Sequence, residues 1–360
     1  MTNSSGFFRC LAICTVALFH APPLIANDNN DGELLTERAF QSTVSRKVIT
    51  PAFSLDSAKI AFALVPKDVL ASDDSVIDVF NIHEFRCAER IVVTGSFLTE
   101  MAFVGHTDIL CASLEDDIRL LSTTLRTATK IAQLHGSEMR ISTRNGRLMV
   151  SSLVSRSVSL LEFGDENGNQ KGQCVIKSRI DLPAKCLMVL NDGGDEVTLV
   201  EDKYHQSRSC AIRISKWGEA MSEETKVVID DAVFGGDAVM FDELKKLIIG
   251  GSSGWIYTVD IKNKRLSGQF KIKDIGPISG ISKMAKWNGR PWVVVGHDCG
   301  ICIIDISDGS GGKCIWSKKM RGPALPTVSP NGRWMAASVN SEVASGYYLW
   351  ELESKSPKSR

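Results

Sequence analysis

The cysteines Cys299 and Cys302 have the residue types and spacing closest to those of a chemical site. Two residues separate them, as in many redox and zinc sites, and His297 lies close by. A redox pair requires a helix N-terminus that lowers the pKa of one thiol, whereas this segment reads as strand, turn and strand. A structural zinc ion needs four ligands, and His297 adds one to the two cysteines. The sequence therefore favours packed thiols over metal or redox chemistry.

The other cysteines raise the question of disulfides. Two of the ten lie in the N-terminal segment, and eight follow it: Cys87, Cys111, Cys174, Cys186, Cys210, Cys299, Cys302 and Cys314. A chain of this length can bury a large core without disulfides, and free cysteine is a common small buried residue. A cross-strand disulfide Cys302–Cys314, flanking the turn at 308–312, is an alternative to packed thiols.

A polar loop at 165–172 has oxygen-bearing side chains at alternate positions, like the start of a calcium-binding loop. The sixth place, where such a loop needs glycine, is Gln170, and the twelfth place is Ile176 instead of glutamate. We therefore predict a polar hairpin loop without a calcium ion. The segment 191–196 is predicted to be a turn for the same reason.

The histidines and tryptophans form no recognisable catalytic motif. Five histidines are scattered past the N-terminal segment: His83, His106, His135, His205 and His297. The sequence contains no Walker loop, Gly-x-Gly-x-x-Gly turn or His-Glu-x-x-His pair. All seven tryptophans lie at or after Trp217, and four read as strand core: Trp255, Trp292, Trp334 and Trp350. We predict no catalytic, cofactor-binding or metal-binding residues and expect a protein that is not an enzyme.

Composition points to a folded, electrically neutral protein. The chain has 360 residues, of which 42 are Lys or Arg and 42 are Asp or Glu, and no long run of one charge occurs. A balanced charge argues against a nucleic-acid or anionic-lipid partner. Apolar residues make up 43% and charged residues 23%, which is ordinary for a globular chain.

The N-terminus has the pattern of a secretory signal peptide at 1–26. Arg9 precedes the apolar run 10–19, and Ala26 offers a small residue for cleavage. Ten residues rise about 15 Å as a helix, half of a bilayer core, so no integral membrane span is expected. We predict an extracytoplasmic protein, periplasmic or secreted. If the segment is instead an apolar extension or a misassigned start, the protein is cytoplasmic.

Past residue 40 the sequence reads as short β-strands separated by turns rich in Gly, Asn, Asp and Ser. The predicted third strand of each unit is marked by an apolar residue that recurs every 40 to 51 residues: Phe80, Leu121, Leu161, Ile212, Val259, Ile304 and Trp350. A four-stranded propeller blade takes about 40–45 residues. The spacing predicts an all-β fold, a seven-bladed β-propeller of four-stranded blades over 42–353.

The last unit resembles the WD-repeat family of propellers. The run 329–333, Ser-Pro-Asn-Gly-Arg, is similar to the family's Ser-Pro-Asp-Gly-Arg hairpin, and 348–352 is similar to the end of its third strand. Two further units, at Val259-Asp260 and Ile304-Asp305, have an apolar residue in place of the family's Trp. The Gly-His pair that the family has before each first strand is missing. The resemblance is to a degenerate WD-repeat-like propeller, and it implies a scaffold for protein–protein interaction.

The ends of the chain suggest how the ring closes. No fourth strand follows Trp350, since the tail at 354–360 is polar and basic. A strand-like stretch at 43–50 precedes the first unit, after a polar leader at 27–41. We predict that residues near 43–50 form the outer strand of the seventh blade, because a closed ring must leave no strand edge unpaired.

Two functional classes are compatible with the sequence. The first is a non-catalytic scaffold, a monomer whose loops bind an unidentified protein partner. The alternative is a propeller enzyme, a lactonase-like hydrolase or a cofactor-dependent dehydrogenase, with its site at the mouth of the channel. Fold alone does not decide between them, and the absence of catalytic motifs favours the scaffold.

Overall fold

A computed structural model describes most of the chain between residues 35 and 352. The described ranges are 35–41, 46–67, 74–84, 86–94, 97–104, 109–114, 117–122, 127–133, 139–144, 147–152, 157–163, 174–181, 186–191, 196–216, 225–229, 231–233, 237–287, 290–307, 312–341 and 345–352. The expected signal peptide at 1–26, the loop at 165–172, the tail at 354–360, His106 and His135 lie outside these ranges. Within them, no helix combines the length and apolar character that a membrane crossing needs.

The fold is all-β, and the described strands form seven antiparallel sheets that follow one another along the chain. The first strand of the chain is β1 (Leu35–Gln41). Sheet 1 contains β2 (Arg46–Val48), β3 (Ala52–Phe53), β4 (Lys59–Pro66), β5 (Ser75–Asn81) and β6 (Arg86–Val93). Sheet 2 contains β7 (Leu98–Phe103), β8 (Ile109–Leu114), β9 (Asp117–Ser122) and β10 (Thr127–Gln133). Sheet 3 contains β11 (Met139–Arg144), β12 (Arg147–Ser152), β13 (Ser157–Phe163) and β14 (Cys174–Asp181).

The second half of the chain repeats this order. Sheet 4 contains β15 (Cys186–Leu190), β16 (Glu196–Asp202), β17 (Ser209–Lys216) and β18 (Thr225–Val228). Sheet 5 contains β19 (Ala238–Phe241), β20 (Lys246–Gly250), β21 (Trp255–Asp260) and β22 (Arg265–Lys271). Sheet 6 contains β23 (Ile278–Trp287), β24 (Arg290–His297), β25 (Gly300–Asp305) and β26 (Lys313–Lys319). Sheet 7 contains β27 (Ala324–Val328), β28 (Trp334–Val339) and β29 (Gly346–Leu352), together with β1. A one-turn helix, α1 (Tyr204–Ser207), and a 3-10 turn at Asp242–Leu244 lie between strands.

The strands within a sheet differ in burial. All six residues of β28 are buried, whereas β26 alternates between exposed and half-buried residues. A strand buried on both faces must lie between two layers of structure. In sheet 7 the second strand, β28, therefore lies between neighbouring sheets, whereas in sheet 6 the fourth strand, β26, lies towards solvent.

Apolar clusters fill the spaces between successive sheets. Shared clusters join sheets 1 and 2, 4 and 5, 5 and 6, 6 and 7, and also 7 and 1. In the last of these, Phe62 of sheet 1 packs with Trp334 and Leu349 of sheet 7. Burial of each large apolar side chain contributes about 1.5–3 kcal/mol to folding, so the interface between the first and last sheets is a substantial part of the core.

First strands of successive sheets also contact one another. The contacts join β3 to β7, β7 to β11, β15 to β19, β19 to β23 and β23 to β27. A further contact joins β27 of the last sheet to β3 of the first. These contacts follow chain order within sheets 1 to 3 and within sheets 4 to 7, and the last sheet also contacts the first.

The predicted position of the closing strand is wrong. The strand that pairs with β29 is β1, with Leu35 opposite Leu352 and Gln41 opposite Gly346. The part of the expected leader at 35–41 is therefore a strand. The stretch at 43–50 instead contributes β2, which pairs with β4 in sheet 1. Both β2 and β3 pair with β4, and Pro51, which has no N–H to donate, lies between them. They are two halves of one interrupted first strand.

The hairpin turn of sheet 7 is held by side-chain hydrogen bonds. The Ser329 hydroxyl accepts from the Trp334 N–H at 2.9 Å and donates to Asn331 Oδ1 at 2.8 Å. The Arg333 N–H donates to the same Oδ1 at 2.9 Å. Gly332 has φ of 70°, in the left-handed region that glycine adopts without strain.

Sheet 1 contains an equivalent turn. The Ser54 hydroxyl accepts from the Lys59 N–H at 2.9 Å and donates to Asp56 Oδ1 at 2.6 Å, and Ser57 takes the left-handed position with φ of 59°. The Asn331 N–H of sheet 7 donates to the Ser57 hydroxyl at 3.1 Å. Two turns of the same construction therefore touch each other where the last sheet meets the first.

Candidate functional site

A cavity of about 490 Å³ opens where sheet 7 meets sheet 1. Three cationic side chains line it, namely Lys47, Lys67 and Arg321. Its other lining residues are Gly322, Pro323, Asn340, Ser341 and Ser345. They come from β2, from the end of β4, from the connection between β26 and β27, and from the connection between β28 and β29.

The floor of the cavity is fixed by Asn340. Its Nδ2 donates to the Val48 carbonyl at 2.7 Å, and its Oδ1 accepts from the Val48 N–H at 2.9 Å. The Asn340 amide therefore bonds to Val48 as the backbone of a neighbouring strand would, and it links β2 to sheet 7. Gly322 packs so closely that a Cβ at this position would lie 2.1 Å from the Asn340 carbonyl oxygen. Only glycine fits there, so the wall next to Asn340 is narrowly defined.

The described lining of the cavity is positively charged. None of the eight lining residues in the described ranges is acidic. Lys47 and Arg321 are exposed, and neither forms an ion pair with another residue of the described ranges. Like charges held around one concave surface raise the local potential for anions.

A buried hydroxyl in the wall is unsatisfied. Ser345 is 2% exposed, and its Oγ has no hydrogen-bond partner among the described residues. An unpaired buried polar group costs about 1–3 kcal/mol, so native structures rarely retain one without a bound partner or a specific role. The cavity therefore combines positive charge with a hydroxyl that can donate or accept a hydrogen bond.

The lining residues supply binding groups. Ser345 Oγ, the buried hydroxyl among them, has no hydrogen-bond partner in the described ranges, so it is not paired with a general base there. Charge and hydrogen bonds are what this arrangement can offer to a ligand.

Cys302 and Cys314, the two cysteines of the alternative disulfide, lie on neighbouring strands of sheet 6. Cys302 on β25 is buried, Cys314 on β26 is exposed, and both are free thiols. The Cys302 thiol hydrogen-bonds to the Cys314 sulfur, which lowers the pKa of Cys314 to about 7 and raises that of Cys302 well above its ordinary value. Burial also raises the pKa of Cys302. Cys299 is exposed and apart from this contact.

His297 lies in the core of the same sheet. It is 6% exposed, its Nδ1 accepts from the Cys299 N–H at 3.3 Å, and burial lowers its pKa. Across the described part of the chain, no group of three or more His, Cys, Asp or Glu side chains could hold a metal ion. His83 and His205 are exposed. None of these three histidines lines the cavity.

The tryptophans that read as core lie in strands of sheets 5 to 7. Trp292, Trp334 and Trp350 are buried, and Trp255 packs against the cluster shared by sheets 4 and 5. They fill the spaces between sheets and do not line the cavity.

No protein-family model matches the chain, and no curated protein matches it.

Sequence reasoning missed the cavity because its residues belong to no motif. Lys47 lies near the start of the described chain and Ser345 near its end, and they meet only when sheet 7 packs on sheet 1. One signal was present, since Arg321-Gly322-Pro323 is a cation followed by two residues that fix a connection between sheets.

Proposed function

We propose that the seven sheets are the blades of a seven-bladed β-propeller and that the protein is a non-catalytic scaffold for a protein partner. The observation that carries the proposal is the relation between the two ends of the chain. β1 completes sheet 7 by pairing with β29, and β27 of the same sheet contacts β3 of sheet 1. A row of sheets whose last member adjoins its first has the connectivity of a closed ring.

Two further features support the ring. The first strands contact each other in chain order within sheets 1 to 3 and within sheets 4 to 7, as strands nearest to a common axis would. The turns at 54–59 and 329–334 have the same hydrogen bonds and the same left-handed third residue after the serine, which supports a structural repeat. The second of these turns is the hairpin that resembles the WD-repeat family.

The scaffold role follows from rigidity and from the chemistry of the cavity. Sheets joined by shared cores form a stiff support on which connecting loops can be displayed. The cavity offers positive charge and hydrogen-bonding groups. We further propose that the protein is exported as a monomer after cleavage at Ala26, so that the partner is extracytoplasmic.

A crystal structure of residues 27–360 tests the architecture. We expect seven sheets about one axis, with β1 as the outer strand of the last blade. Two stacked sheets, or a number of sheets other than seven, would contradict the proposal.

Affinity purification from the native cell envelope and medium tests the function. The tagged chain should retain a protein that rebinds it in purified form at a fixed stoichiometry, and the mature N-terminus should be Asn27 by mass spectrometry. Turnover of lactone or alcohol substrates without such a partner would favour a propeller enzyme. A chain that starts at Met1 and stays in the cytoplasm would overturn the proposed export alone.

A further inference from the structure

We propose that the cavity between sheets 7 and 1 binds a small molecule carrying two or more oxyanion charges. This inference goes beyond the scaffold role and does not depend on the identity of a protein partner. It rests on the packing of sheet 7 against sheet 1 and on the residues that this packing brings together.

The first argument is charge. Lys47, Lys67 and Arg321 line one cavity of about 490 Å³ whose other described lining residues are uncharged. Lys47 and Arg321, which form no ion pair with another described residue, repel each other, and the repulsion weakens when an anion lies between them. A ligand with several negative oxygens matches this arrangement, because arginine binds oxyanions through its two-pronged fork and lysine through its point charge.

The second argument is the buried hydroxyl. Ser345 lines the cavity, and its Oγ is shielded from solvent and lacks a hydrogen-bond partner within the described ranges. A ligand oxygen can accept its proton and remove the desolvation cost. The hydroxyl is thus an independent sign of a ligand, since charge repulsion alone would not require a buried polar group.

The third argument is that the site is already shaped. Asn340 is held to Val48 by two hydrogen bonds, and Gly322 packs against the Asn340 backbone. A wall that is fixed before binding loses little conformational entropy when a ligand enters. The volume lies within the range of about 300–1,000 Å³ typical of small-molecule sites.

Phosphate and carboxylate ligands share this chemistry, and calorimetry with two probes separates them. Pyrophosphate and citrate are titrated separately into the full-length protein at constant ionic strength, with sodium chloride as the reference salt. We expect saturable binding of at least one probe with a stoichiometry of one. Binding of pyrophosphate alone indicates a phosphate ligand, binding of citrate alone indicates a carboxylate ligand, and binding of both supports the shared chemistry.

Charge variants locate the binding. The double variant Lys47→Gln/Arg321→Gln should weaken binding by about 100-fold, since each charge-assisted contact accounts for roughly tenfold. The matched control Arg86→Gln/Lys262→Gln removes the same charges from exposed positions in sheets 1 and 5 and should change affinity less than about twofold. The proposal is overturned if neither probe binds saturably, or if both double variants bind like the unmodified protein.

Ser345→Ala separates a binding role from a structural one. Loss of an unpaired hydroxyl should leave the melting temperature of the unliganded protein unchanged or higher, while probe affinity falls about tenfold. A variant that melts earlier and binds the probe with unchanged affinity would contradict the proposed role of Ser345.

Discussion

The Tyr347 hydroxyl bonds to both backbone groups of Ala63. It donates to the Ala63 carbonyl and accepts from the Ala63 N–H at 2.8 Å, so a side chain of sheet 7 bonds to the second strand of sheet 1. The ring of Tyr347 packs on Phe62 with centroids 4.4 Å apart. Burial raises the pKa of Tyr347 above its ordinary value, so the hydroxyl keeps its proton across the physiological range.

Replacement of this hydroxyl should destabilise the whole protein. Tyr347→Phe leaves the Ala63 N–H and carbonyl without this partner in a buried interface, which costs about 1–3 kcal/mol in the free energy of unfolding. Urea denaturation measures the change. Tyr204→Phe is the matched control, because the Tyr204 hydroxyl has no partner in the described ranges and its loss should cost under about 0.5 kcal/mol. Equal effects of the two substitutions would show that the Tyr347 contact does not contribute.

Removal of β1 should cost far more than removal of the residues before it. Deletion of residues 1–41 exposes the edge of β29, and we expect a loss of several kcal/mol and concentration-dependent aggregation. Deletion of residues 1–34 retains every described pair between β1 and β29 and should leave the melting temperature of the mature chain unchanged. Equal melting temperatures for the two truncations would contradict the stabilising role of β1 in sheet 7.

The reactivity of Cys314 should depend on pH with a midpoint near 7. The Cys302 thiol stabilises the Cys314 thiolate, and the thiolate is the reactive form, so alkylation slows as pH falls below about 7 and reaches its plateau above it. In Cys302→Ala the midpoint should rise towards the ordinary cysteine value of 9.0. Mass spectrometry of iodoacetamide-labelled peptides follows the site. Cys299, which is exposed and has a raised pKa, is the internal control and should react only at higher pH.

Loss of the Asp231 carboxylate should destabilise the protein at the connection between sheets 4 and 5. Asp231 is 4% exposed, and its Oδ1 accepts from the hydroxyls of Ser252 at 2.8 Å and Ser253 at 3.0 Å. Asp231→Ala removes a buried charged acceptor and leaves these donors unpaired, at a cost of roughly 2–4 kcal/mol. Asp260→Ala, at an exposed turn where the carboxylate accepts from Asn263, should lower the melting temperature much less. Thermal denaturation at pH 7 compares the two variants. Equal decreases in melting temperature would contradict the stabilising role of Asp231.

The turn chemistry of the sequence was enough to predict the all-β class and the positions of most strands. Each of the seven spaced apolar residues lies in the third strand of its sheet, as Phe80 does in β5 and Trp350 in β29. Turns are set by local residues such as Asn331 and Gly332, so a single sequence reveals them.

The closing strand was placed wrongly for an equally local reason. Pro51 interrupts the first strand of sheet 1, so the half before it looked like a separate strand. The side-chain pattern gave no means to decide which sheet that half joins, because pairing partners are distant in sequence. The cavity could not be predicted for the same reason, since Lys47 and Ser345 become neighbours only through packing.

Pairing between β1 and β29 also delays completion of sheet 7 during protein synthesis. Residues 35–41 are synthesised about 300 residues before their partner strand at 346–352. At translation rates of about 5–20 residues per second, β1 waits on the order of tens of seconds without its partner. During that interval β1 can pair equally well with the β29 strand of a neighbouring nascent chain. Strand exchange between copies would therefore occur on polysomes that carry many nascent copies of this protein.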